Sequence, residues 1–314
     1  MSHPMRAERS PTIENMNPPT NITRRQFFGV SAAVGAGAFL AACGGSSSTT
    51  GSTIGTVDAS RQIVKRFPPT GMVPGSVRLP ISLADSTGIL GTDRLPSLPP
   101  TLTASVVNTE TGTEIISYTT ADLHSANMAT PYWPFIVDIP EPGIYSMTVN
   151  EAPRSEMSFQ IFGRDAVAMP LVGDPLPPYD TPTFDDARGV DPICTRPDEM
   201  CPFHEVTLTE ALASGKPVVY MVGTPAYCKT GTCAPGLDGL IEIAQTVGDQ
   251  AVFVHADVYT DRTTTQVAPA VTAFSLDFEP VLYITDAQGV LVNRLDAIFD
   301  VNEIRDALIA VGIS

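Results

Sequence analysis

The chain has 314 residues, enough for two ordinary domains, and only 17% of them are charged, while 29 prolines and 24 glycines interrupt it often. With 18 basic against 34 acidic residues the formal net charge is −16, which argues against a nucleic-acid partner, because phosphate contacts need clustered Lys and Arg. Five cysteines are present, and four of them lie in the C-terminal half.

At the N-terminus, Thr23-Arg24-Arg25-Gln26-Phe27-Phe28 resembles the twin-arginine export motif and is followed by an uncharged stretch from Gly29 to Ala42. Leu40-Ala41-Ala42-Cys43 then resembles a lipobox. The resemblance implies that residues 1–42 are a signal peptide and that Cys43 carries a lipid, which places the mature chain on the extracytoplasmic face of a membrane. A membrane span is the competing reading, but the apolar segment has 14 residues, short of the roughly 20 needed. Residues 43–66, rich in Ser, Thr and Gly, are expected to be a flexible tether with a reach of about 25 Å. Removing residues 1–42, with four arginines and two glutamates, leaves 14 basic and 32 acidic residues, a net charge of −18. Such a surface keeps an exported protein soluble and argues against tight docking onto anionic lipids.

From 67 to 163 the chain reads as short strands split by turn residues: Val77–Leu83, Leu102–Val107, Glu114–Thr119, Phe135–Ile139, Ile144–Val149 and Met157–Phe162. Six such runs without a helical period predict a small β-sandwich. The segment from Glu141 to Val149 is similar to the turn and strand that immunoglobulin-like domains use late in their sheet. His124, Tyr132 and Trp133 are candidates for a ligand groove, although a lone Trp in a sandwich belongs more often to the core. Residues 164–190, with prolines at 170, 175, 177, 178 and 182, read as a semi-extended linker.

The period changes from residue 191 to 314. Thr207–Ser214 is helix-like, Pro217–Val222 a buried strand, Pro235–Val247 a helix, Ala251–Asp257 a strand and Thr265–Phe274 a weaker helix. Strands Val281–Thr285 and Val290–Leu295, joined by Asp286-Ala287-Gln288-Gly289, precede a closing helix over Val301–Val311. The order β-α-β-α-β-β-α predicts a three-layer α/β domain.

Cys228-Lys229-Thr230-Gly231-Thr232-Cys233 lies between the first strand and the first long helix of that domain. A thiol there meets unpaired N–H groups and the positive end of the helix dipole, which favour the thiolate. Strand order and cysteine placement together resemble the thioredoxin fold. A second mark is Pro280, which follows Glu279 just before a strand; in thioredoxin-like proteins the proline at this place is cis and sits beside the cysteine pair. The resemblance implies that Cys228 attacks and Cys233 resolves, in thiol–disulfide exchange with envelope proteins or a partner oxidoreductase. Neither a metal nor an organic cofactor is needed for that chemistry.

Thioredoxins have two residues between their cysteines, whereas this chain has four, as in one group of peroxiredoxins. Peroxidase chemistry is therefore an alternative, with Thr224 near the reactive cysteine and only Arg262 and Arg294 as downstream candidates, before Arg305, for its arginine. A further alternative is a non-catalytic binding module in which the pair is a staple. Cys194 and Cys201 are expected to form a structural disulfide that pins the entry to the domain. Two other readings stay open for them: a thiol relay to Cys228 and Cys233, and a zinc or copper site with His204 and His255, although spacings of six and four residues do not match the familiar close zinc pairs.

Overall fold

The computed structural model describes residues 61–149 and 156–314. The N-terminal half of this region is all β: β1 (Gln62–Lys65), β2 (Gly75–Asp85), β3 (Gly88–Ile89), β4 (Thr101–Asn108), β5 (Glu114–Asp122), β6 (Trp133–Ile139), β7 (Gly143–Val149) and β8 (Glu156–Ile161). One antiparallel sheet runs β1-β2-β3 with β6 paired to β2, and the other runs β5-β4-β7-β8. Alternation decides which side chains enter the core. Trp133, Phe135, Val137 and Ile139 of β6 and Met157, Phe159 and Ile161 of β8 turn inward and join one hydrophobic cluster.

The expected six strands are all present, and β1 and β3 add to them. Gln62–Lys65 falls inside the stretch expected to be a tether, yet it pairs with residues 81–84 of β2. Trp133 is a core residue whose Nε1 donates to the Pro99 carbonyl at 3.2 Å. The Tyr145 hydroxyl donates to the Glu141 carbonyl at 2.8 Å and fastens the turn that opens β7.

The C-terminal half contains α1 (Leu208–Ala213), β9 (Val218–Val222), α2 (Cys233–Val247), β10 (Val252–Ala256), α3 (Pro269–Ala273), β11 (Val281–Thr285), β12 (Leu291–Asp296) and α4 (Val301–Ile309). Its sheet has the order β10-β9-β11-β12. β9 and β10 are parallel, with α2 as their crossover, and β11 is antiparallel to both β9 and β12. All residues of β9 and β11 are buried, as both faces of the sheet are covered. Val219, Met221, Leu282 and Ile284 pack against α2 and α4. Tyr220, Val222, Val254 and Tyr283 pack on the other side with Leu208 and Phe274. The chain is thus a mixed α/β protein.

Two short-range devices fix helix positions. Thr207 and Glu210 form a reciprocal capping box at α1. Gly236 and Gly239 let α2 approach the start of α4 closely: a Cβ on Gly236 would lie 2.9 Å from Phe299 Cε2, and one on Gly239 3.2 Å from Val301 Cβ.

The stretch expected to be a semi-extended linker is packed instead. Leu171 and Leu176 are buried, Pro175 bridges to Val290, and the Thr181 hydroxyl accepts from the Leu208 N–H. The two sheet systems also meet directly. Arg78 of β2 holds Glu303 of α4 with Nη2 2.6 Å from Oε2, and its Nη1 donates to the Asp296 carbonyl at 3.1 Å. The Tyr132 hydroxyl donates to Glu303 Oε2 at 2.6 Å and accepts from the Asp300 N–H at 2.8 Å. His124 Nδ1 lies 3.0 Å from Asp300 Oδ1. His124 and Tyr132, considered as ligand-groove residues from sequence, therefore dock the β half onto the α/β half.

Candidate functional site

The segment between β9 and α2 turns at Gly231, whose φ of +68° suits glycine and whose N–H donates to the Cys228 carbonyl. The turn brings the backbone N–H groups of Thr232 and Cys233 under the Cys228 sulfur. Helix α2 begins at Cys233 itself, so Cys228 precedes it by five residues but still rests on its N-terminus.

Cys228 is half-buried and Cys233 is buried; both are free thiols. Cys228 Sγ lies 3.1 Å from Thr230 Oγ1, which is 2.8 Å from Thr232 Oγ1; Thr232 in turn donates to the Ala297 carbonyl at 2.7 Å. A hydrogen bond from the Cys233 thiol, then those from Thr230 and the two backbone N–H groups, outweigh burial and hold the Cys228 thiol down at about 4. Burial, and next the Cys228 sulfur, push the Cys233 thiol far up. One sulfur is a thiolate at neutral pH and its neighbour holds the proton.

Pro280, joined to Glu279 by a cis peptide bond, stands beside the pair. Gly223 at the end of β9 separates them: a Cβ there would sit 3.3 Å from Pro280 Cβ and 3.4 Å from Cys233 Sγ.

Two charged groups near the pair go beyond the sequence reading, which named Glu279 only as the residue before Pro280. One Glu279 oxygen and both sulfurs lie within 4.8 Å of one another. Its Oε2 is buried without a hydrogen-bond partner among the described residues. Burial first, then the Cys228 charge, raise this carboxyl to about 7, against a smaller opposing pull from Lys229. An acid flanked by Phe278 and Pro280 at the mouth of a buried strand was the available signal. The other group is Arg66, just after β1, whose guanidinium feels the Cys228 charge although burial pulls its pKa down. Nothing local to the cysteines marks a residue 162 positions upstream. Thr224, considered from sequence as a partner of Cys228, is buried and faces Thr195 instead, with the two hydroxyl oxygens 3.2 Å apart.

Cys194 and Cys201, expected from the sequence to form a structural disulfide, are both buried and free in this structure. The Cys201 N–H points at Cys194 Sγ at 3.5 Å, and His204 and His255 complete a cluster around them. Gly223 is the wall between the two clusters, since its carbonyl accepts from His255 Nε2 at 3.0 Å. Cys43 and the twin-arginine segment lie outside the described residues. Among the described residues no helix is long and apolar enough to cross a membrane.

No family model matches the chain, and no curated protein matches it significantly.

Proposed function

We propose that the chain is a lipid-anchored, extracytoplasmic thiol–disulfide oxidoreductase whose residues 191–314 form a thioredoxin-like domain and whose residues 67–163 form an immunoglobulin-like sandwich. The observation that carries this reading is the asymmetric pair: a half-buried Cys228 held as thiolate at about 4 beside a buried Cys233 that keeps its proton. The strand order β10-β9-β11-β12, the Cys pair on the N-terminus of α2 and Pro280 across Gly223 support the thioredoxin-like assignment. Two packed antiparallel sheets and the Tyr145 to Glu141 hydrogen bond, which has the form of a tyrosine corner, support the sandwich assignment.

The reaction follows from the pair. The Cys228 thiolate attacks one sulfur of a partner disulfide, forms a mixed disulfide and expels the other partner sulfur as a thiolate. Cys233 then gives its proton to the Glu279 carboxylate and attacks the Cys228 sulfur. This closes the Cys228–Cys233 disulfide and releases the second partner thiolate, so two electrons pass from the protein pair to the partner. Run in reverse, the same steps oxidise a partner dithiol. A thiolate held this low stabilises the reduced pair and moves the couple toward the oxidising end.

Trapping tests the reading. With Cys233→Ser, a disulfide-bonded partner protein should accumulate as a covalent adduct on Cys228 that reductant dissolves, and Cys228→Ser should form none. Absence of any adduct would leave the pair as a staple.

Arg66 favours a second reading, peroxide reduction, because it places a cation near the thiolate. The thiolate would displace an alkoxide or hydroxide from the peroxide to give a sulfenic acid, and Cys233 would condense with it and release water. Turnover of hydrogen peroxide by the reduced chain at rates above its exchange with disulfides would select that reading.

A further inference from the structure

Cys194, Cys201, His204 and His255 come from three separate places, a loop at the entry to the α/β half, the turn that follows it and strand β10, and all four are buried. One ligand atom from each lies within 4.8 Å of the other three. The outer nitrogens of both imidazoles are committed. His255 Nε2 is 3.0 Å from the Gly223 carbonyl and His204 Nδ1 is 3.2 Å from the Pro182 carbonyl. A carbonyl can only accept, so both nitrogens carry hydrogen.

The inward nitrogens, His255 Nδ1 and His204 Nε2, are then lone-pair donors in the neutral rings. They face each other across 3.3 Å, with Cys201 Sγ 3.5 Å from His255 Nδ1. Two bare acceptors this close repel in a buried site unless a proton or a metal ion joins them. Tetrahedral zinc with Zn–N of about 2.0 Å and Zn–S of about 2.3 Å has N···N edges of roughly 3.3 Å and S···N edges of roughly 3.5 Å. The His255–His204 and Cys201–His255 separations have these lengths, and the remaining edges lie within 4.8 Å.

We propose that these four residues form a closed site for one zinc ion. Two thiols and two imidazoles gathered within 4.8 Å select zinc over harder cations. The Gly223 and Pro182 carbonyls supply the outer hydrogen bonds that fix metal-binding imidazoles. Cys201 and His204 have two residues between them, a close ligand pair that the spacing between the cysteines alone conceals. Cys194 also lines a cleft of about 730 Å³ with Thr195, Arg196 and Ala226, which gives the ion a way in. The ion would tie the entry loop to β10 and, through Gly223, brace the floor beneath Cys233. This inference does not depend on the redox reading.

The test is metal content and cobalt substitution of the full chain purified in reductant. The expected result is one zinc per chain and, with Co(II), the visible bands of a tetrahedral thiolate site. Both should be lost in Cys201→Ser and kept in the Cys228→Ser/Cys233→Ser double variant. Should Cys201→Ser not fold, the wild-type chain still decides: with zinc bound, Cys194 and Cys201 should resist alkylation, and a chelator should expose them. The proposal is overturned if the folded, reduced chain takes up no zinc or cobalt, or if Cys194 and Cys201 are recovered as a disulfide without metal. Metal lost in the double variant but kept in Cys201→Ser would equally overturn it by assigning the ion to the other cluster.

Discussion

Cys228 has the strongest consequence of any single side chain, because its thiolate persists far below the ordinary thiol range. Alkylation of the reduced chain should rise with a midpoint near pH 4 and stay flat through neutrality, whereas an ordinary thiol of pKa about 8.5 would still be climbing. Peptide mass after brief alkylation reads this at each cysteine. Glu279 sets the next step. As the base for Cys233 it must be ionised. In the mixed disulfide the Cys228 charge is gone and burial still keeps the carboxyl raised, so release should quicken as pH rises through a midpoint below the resting value of about 7. Glu279→Gln should abolish that inflection and slow resolution on the order of 10²-fold. An unchanged pH profile in rapid-quench measurements would remove Glu279 from the mechanism. Both sulfurs and Pro280 were legible in the sequence because they are close along the chain to turn and strand signals. Arg66 was not, because it reaches the thiolate through tertiary contacts across the fold; the four residues of the Cys194 cluster were named together, but only those contacts bring them within 4.8 Å.

Among the elements, α2 is placed by its glycines. A methyl on Gly236 would meet the ring of Phe299, which is fully buried, at 2.9 Å. Gly236→Ala gains about 1 kcal/mol of helix propensity. It should still be destabilising, by up to about 2 kcal/mol, because overpacking a tight core costs about 1–3 kcal/mol. A lower denaturant midpoint at unchanged slope would show it, and a raised midpoint would mean that Phe299 gives way freely. Strands with alternation, such as β6 and β8, and the buried runs β9 and β11 were readable to within a residue or two. Gln62–Lys65 was not, because four residues of mixed character show a strand only when β2 pairs with them. The linker misled for a related reason: its prolines suppress local periodicity while Leu171 and Leu176 find burial in the rest of the molecule.

At the scale of the whole molecule, the described residues belong to one compact unit, and the dock around Arg78, Glu303, Tyr132 and Asp300 joins its halves. Removing one partner of a buried pair strands the other charge, so Arg78→Ala should lower stability by about 3–5 kcal/mol. Its melting should also separate into two transitions by calorimetry. His124 makes the dock pH-sensitive. Burial opposes its charge, but the Asp300 hydrogen bond prevails and raises its pKa above 6.5. Its contribution is then complete below the unfolded value and is lost as pH rises through the higher folded value. The melting temperature should fall across that window in the wild type and less in His124→Gln.

The central claim, that Cys228 and Cys233 are a working couple, is met most directly by redox titration of the full chain in glutathione buffers, each cysteine read by alkylation and peptide mass. The account predicts that the two titrate together, without unfolding, at a potential well above about −300 mV, where labile disulfides lie. A pair that stays bonded until strong reductant unfolds the protein would contradict it.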